Sequence, residues 1–224
     1  MAQLITGLTV ERVRSNLERV REEIADACAR AGRDPAGVEL LAAVKYVAAD
    51  ELPVLAEAGI TLAGENRAQE LVHKVDATGD AFTWDFIGHL QSRKVKQVLP
   101  HVRLIHSVAT ESVVHELGRH APAGAEVLVE VNLSGEEGKS GIAPDELDEF
   151  VARCREEGGV DVVGLMTMPP LADDPEASRR WFAQLAELAA GRGLARLSMG
   201  TTQDFPVAVE EGATIVRVGT SLYR

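Results

Sequence analysis

Lys45 stands directly after the apolar run Leu41-Ala42-Ala43-Val44. An ammonium group at such a place is costly unless it is paired or neutralised. Its amine could form an imine with an aldehyde; a lysine whose stem snorkels to solvent is the plainer alternative. Near the end of the chain, Ser198-Met199-Gly200-Thr201-Thr202 and Gly219-Thr220-Ser221 combine glycine with small hydroxyl residues. The first of these leads into a helix start, where free backbone N–H groups and the positive end of the dipole suit a phosphate. Arg217 lies two residues before Gly219 and so shares its side of a strand. Three other strand ends offer polar or soft groups: Asn66, His89 and Met166. Asn66 also suits a helix cap, and His89 could as well bond a neighbouring loop. Gly138-Lys139-Ser140 resembles the end of a nucleotide-binding loop, but that motif needs glycine where Leu133 stands.

These residues need elements to hold them. Leu8, Val10, Val13, Leu17 and Val20 recur at helical spacing, capped by Thr9, and predict a helix ending near Ala31-Gly32. A regular alternation follows. Strands are predicted over 38–44, 61–64, 84–87, 102–106, 126–131, 160–165, 196–198 and 214–218. Between them lie helices over 50–58 (capped by Asp50), 66–75, 92–99, 110–120, 144–155 (Pro144 in its first turn), 175–190 and 204–211. The strands are continuous apolar runs, as in parallel strands covered on both faces. Eight such units close into a (β/α)8 TIM barrel, an α/β fold, here with an extra N-terminal helix. An open doubly wound sheet is the alternative, but no GxGxxG follows the first strand. The expected organisation is one barrel domain over 1–224, with residues 1–32 a helix packed on it. Barrels place function at the C-terminal ends of their strands, and the loops after strands seven and eight often hold phosphate.

Composition removes several classes. The chain has 224 residues, 46% hydrophobic but only 4% aromatic, so its core must rest on Ala, Val, Leu and Ile. A net charge of −12 argues against nucleic acid and anionic membranes as partners. Cys28 and Cys154 form no metal-binding spacing, and no metal site is expected. The N-terminus lacks an apolar signal region, and no run of about 18 apolar residues occurs, so a cytoplasmic location is expected.

An imine-forming lysine, a phosphate cup and an arginine between them suit a ligand with an aldehyde at one end and a phosphate at the other. Pyridoxal 5′-phosphate (PLP) has that form. The sequence also resembles the PLP homeostasis protein family, related to the barrel domain of alanine racemase. The resemblance is carried by Ala43-Val44-Lys45, Gly64-Glu65-Asn66, Phe86-Ile87-Gly88-His89-Leu90-Gln91, Ile105-His106-Ser107-Val108, Val131-Asn132-Leu133-Ser134, Lys139-Ser140-Gly141-Ile142, Gly164-Leu165-Met166-Thr167-Met168, Leu197-Ser198-Met199-Gly200 and the segment from Gly212 to Thr220. It implies the barrel, a Schiff base at Lys45, phosphate held by 198–202 and 219–220, and Arg217 facing the pyridine nitrogen. Two departures stand out. Met199-Gly200-Thr201-Thr202 replaces the usual Met-Gly-Met-Ser, and Ser221-Leu222-Tyr223-Arg224 replaces the usual Ile-Phe-Gly ending.

The resemblance implies a carrier or buffer of PLP without efficient catalysis, with apo PLP enzymes as recipients. Arg217 beside the ring nitrogen would disfavour its protonation and weaken it as an electron sink. Alanine racemase adds a tyrosine from a second domain across a dimer. The tyrosines here are Tyr46 and Tyr223, and adjacent strand residues such as Lys45 and Tyr46 should face opposite ways. A monomer is expected. A small PLP-dependent racemase or lyase, and a barrel for another phosphorylated metabolite, are the alternatives.

Overall fold

The computed structural model describes residues 4–224. Residues 1–3, the start of the expected N-terminal segment, lie outside the described residues. The strands are β1 (Glu39–Ala43), β2 (Leu62–Glu65), β3 (Thr83–Phe86), β4 (Leu104–Val108), β5 (Glu126–Glu130), β6 (Asp161–Met166), β7 (Arg196–Thr201) and β8 (Ile215–Val218). They pair in parallel in chain order and close into a barrel, with Glu39 opposite Ile215 and Leu41 opposite Arg217 where β1 meets β8. The expected (β/α)8 barrel is thus the fold, and the open sheet is excluded.

The helices are α1 (Val10–Arg30), α2 (Leu52–Glu57), α3 (Ala68–Thr78), α4 (Val95–Val98), α5 (Glu111–His120), α6 (Leu147–Glu156), α7 (Arg179–Ala190), α8 (Phe205–Glu210) and α9 (Thr220–Tyr223). Thr9 caps α1 through Arg12 N–H, and Thr110 caps α5 through Val113 N–H, as the sequence predicts. Several expectations need correction. Asp50 lies inside a 3-10 turn before α2 and is not a cap. Pro144 lies outside α6. The 92–99 helix is a single α turn between two 3-10 turns, and it ends early because Pro100 cannot continue the α hydrogen bonding. β8 is followed by α9, a turn of helix that the sequence reading lacks.

Two apolar layers hold the barrel. The outer one lies between strands and helices and includes Val13, Leu17, Val20, Phe86, Leu117, Phe182 and Val216. Inside the ring, Leu41, Leu62, Leu104, Leu128, Met166 and Ile215 pack together. Alternation along a strand puts residues two apart on one side. The interior therefore also receives polar groups: Glu39, His106, Glu130, Ser198 and Arg217. α1 packs on α8 and α9. Asn16 Nδ2 donates to the carbonyls of Leu222 and Arg224 at 3.3 and 3.0 Å, and Arg19 donates to Ser221 O at 3.1 Å. No helix among the described residues is long and apolar enough to cross a membrane.

Candidate functional site: the mouth of the barrel

A cavity of about 620 Å³ opens at the C-terminal ends of the strands. Lys45, Asn66, His89, Met166, Thr201, Thr202, Arg217, Gly219 and Thr220 all line it. Ser198, Met199 and Gly200 do not. β7 runs on to Thr201, past the end read from the sequence. Met199 consequently points into the outer core and is fully buried. Gly200 has φ +88°, and a side chain there would meet Ala208 Cβ at 2.5 Å, so its place is the packing of α8 on β7. Ser198 is buried inside the barrel, its hydroxyl held between His106 and Arg217.

Lys45 lies in a turn two residues beyond β1. That turn lets Lys45 and Tyr46 line the same cavity, against the expectation that they face opposite ways. The Lys45 ammonium sits 4.9 Å from the centre of the half-exposed Tyr46 ring. No carboxylate lies within ion-pair distance of it among the described residues. The turn is pinned from below: Lys74 Nζ donates to Val44 O at 2.7 Å and to Glu65 Oε2 at 2.5 Å. Glu65 Oε1 in turn accepts the N–H groups of Asn66 and Arg67. Sequence reading missed Lys74, because a lysine in a helical pattern reads as solvent-facing; it is 2% exposed.

Asn66 is not the cap of α3; that position is Arg67. Asn66 Oδ1 is buried and has no hydrogen-bond partner among the described residues. Gly88 permits the close approach of the next loop, since a Cβ there would lie 2.1 Å from Asn66 O. His89 Nδ1 lies 3.2 Å from Ser140 Oγ, which donates to Glu130 Oε2 at 2.8 Å. Burial pushes the Glu130 carboxyl up, although Ser140, Arg217 and His89 oppose the shift. Glu130 was also missed; its signal was a charge inside the apolar run Val127-Leu128-Val129-Glu130-Val131.

At the cup, Gly219 N–H donates to Thr202 Oγ1 at 3.0 Å, joining the loops after β7 and β8. The N–H and hydroxyl of Thr201 both go to Asp204 Oδ1, so Thr201 shapes its loop and its own donors are taken. Arg217 donates to Ser198 Oγ at 2.5 Å and to Thr167 O at 3.0 Å. Burial lowers its pKa to about 10, against the opposing pull of Glu130 and Asp204. Tyr223 Oη reaches Ala43 O at 3.3 Å, and burial, then Glu65, push its pKa up.

The family pattern described as alanine racemase, N-terminal domain, matches residues 11–224. A PLP homeostasis protein of Aquifex aeolicus is 42% identical over 92% of this chain and 95% of its own length. The chain belongs to this family. An Escherichia coli PLP homeostasis protein is 34% identical over 93% of this chain and 94% of its own. Among solved structures, PipY of Synechococcus elongatus with PLP bound superposes with a TM-score of 0.78 at 30% identity, covering 95% of this chain and all of PipY. An alanine racemase of Corynebacterium glutamicum shares the barrel, with a TM-score of 0.70 at 16% identity over 99% of this chain and 63% of the racemase.

Proposed function

We propose that this chain binds PLP in the barrel mouth and carries or buffers it, without efficient catalysis of its own. One observation carries the reading: the amine of Lys45, with no carboxylate partner among the described residues, shares one cavity with buried Arg217 and with the joined loops of Thr202, Gly219 and Thr220. The residues fit the cofactor. Asn66 Oδ1 is a buried polar atom with an unmet bond, and the donor set suits a phosphate with an aldehyde beyond it. Bound PLP supplies an electrophilic aldehyde and an electron-withdrawing ring. Lys45 Nζ would condense with the aldehyde carbon, releasing water. Thr202 and Thr220 would hold the phosphate, and Arg217 would face the ring nitrogen and disfavour its protonation. The reading also has the protein working as a cytoplasmic monomer and passing PLP to apo enzymes that need it.

The test is borohydride reduction of the loaded protein followed by peptide mapping. A visible absorbance band and a label on Lys45 are expected. No band would favour another phosphorylated metabolite, and a label on Lys94 or Lys139 would refute the assignment of Lys45. Thr202→Ala should weaken binding about tenfold, close to the low end of the roughly 1.5–3 kcal/mol range for a hydrogen bond to a charged group, measured by titration of PLP. Binding equal to wild type would move the cup elsewhere.

The racemase or lyase reading has one observation on its side. β1 and β5 lie across the ring from each other, so the His89–Ser140–Glu130 chain faces Lys45 over the mouth. Against it, Tyr223 is buried on Ala43 O and Tyr46 stands on the lysine's own side. In heavy water the loaded protein should exchange the α-proton of alanine slowly and leave its chirality intact. Racemisation at about 1 per second or faster would overturn the carrier reading and point to His89.

A further inference from the structure

A line of polar groups runs through the barrel from half-exposed Glu39 and Arg103 at its N-terminal end to buried groups below the mouth. Glu39 accepts from Arg103 Nη1 at 2.6 Å, and Arg103 grips Asp85 with two bonds of 3.1 and 2.7 Å. Asp85 Oδ2 lies 3.1 Å from His106 Nε2, and His106 Nδ1 lies 2.8 Å from Ser198 Oγ. Ser198 Oγ receives Arg217 Nη1. Asp85, His106 and Ser198 are wholly buried.

The protons follow from Asp85, whose carboxylate only accepts: His106 Nε2 must carry a proton and donate to it. In the uncharged ring Nδ1 is then bare and accepts the Ser198 hydroxyl proton, while Ser198 Oγ still accepts from Arg217. Burial favours the uncharged imidazole, and the positive charges of Arg217 and Arg103 add to it, outweighing the pull of Asp85. Burial would raise the Asp85 carboxyl, but hydrogen bonds from His106 and Arg103 hold it below its ordinary value. The connectivity is that of an acid–base–nucleophile triad, yet Ser198 is 0% exposed and occupied on both sides, so it has no substrate to attack.

We propose that Asp85, His106 and Ser198 are positioning residues that lock the Arg217 guanidinium in one orientation in the floor of the mouth. This deepens the PLP reading and rests on it for its effect on the ligand. The contact of Arg217 with the cofactor ring is then set by residues on β3, β4 and β7 that do not line the mouth. Ser198, which the sequence assigns to the phosphate, acts on Arg217 instead.

Two measurements test this. In the apoprotein, ¹⁵N NMR should show His106 protonated at Nε2 alone, and the Arg217 guanidinium should rotate slowly. A proton on His106 Nδ1, or free rotation of Arg217, overturns the proposal without involving PLP. In the loaded protein, Ser198→Ala and His106→Leu should still be trapped at Lys45 by borohydride. Their PLP affinity should fall about tenfold, and the ¹⁵N signal of the cofactor ring should shift. His106→Gln can still donate to Asp85 and accept from Ser198, so it should recover most of both. Wild-type affinity in His106→Leu, or no recovery in His106→Gln, refutes the positioning role. Wild-type protein that takes up no PLP would sink the carrier reading, while the apoprotein spectra still decide whether Arg217 is locked.

Discussion

Lys45→Ala protein should lose the visible band and all borohydride-stable label, and its affinity for PLP should fall on the order of a hundredfold, about 2.7 kcal/mol. Titration of the cofactor, followed by reduction and mass measurement, reads both effects. Residual binding is expected, because the cup and Arg217 remain. Among the described residues, other lysines are engaged elsewhere: Lys74 is held by Glu65 and Val44 O, Lys139 lies 2.7 Å from Glu136, and Lys94 bonds Gln97. Undiminished binding with a label elsewhere would place the reactive amine outside the turn after β1.

The second large effect belongs to Lys74. Lys74→Met removes the cation from a pair in which both side chains are almost completely buried. Glu65 would then be left with only the N–H groups of Asn66 and Arg67 as partners. Breaking a buried pair from one side costs about 3–5 kcal/mol, and urea unfolding should show that loss with an unchanged slope. Adding Glu65→Gln removes the stranded charge and should restore part of the stability. A loss below about 1 kcal/mol would mean that the Glu65 charge is solvated or neutralised in some other way. The same substitution frees Val44 O beside Lys45, so PLP uptake should slow or weaken even where the protein remains folded.

The barrel was legible because its strands are unbroken apolar runs with a turn signal after each one, and that pattern depends only on neighbours in sequence. The mouth was legible for a related reason: residues at strand ends in a barrel converge whatever their identity. Lys45, Asn66, His89, Met166, Thr202, Arg217, Gly219 and Thr220 were found in this way. The interior was harder. His106 and Ser198 read as strand-end residues, and Asp85 as one residue of a strand, since nothing local says that a hydroxyl on β7 will meet an imidazole on β4. Lys74 hid in a helical pattern because its partner, Glu65, belongs to the preceding strand. Ser198 and Met199 were misassigned because strand seven reads as ending at Ser198, whereas β7 continues through Gly200, with its positive φ, to Thr201.

The clasp between α1 and α9 carries a consequence for the time course of folding. Asn16 and Arg19 hold the carbonyls of residues 221, 222 and 224, and β1 completes its edge only by meeting β8. Contacts separated by some 200 residues of chain close late, because their loop entropy must be met before they return anything. The amine comes from the turn after the first strand and the cup from the loops after the last two. During refolding, then, cofactor capture should lag behind the appearance of helical signal, and a half-made barrel should be blind to the cofactor even though Lys45 is already in place.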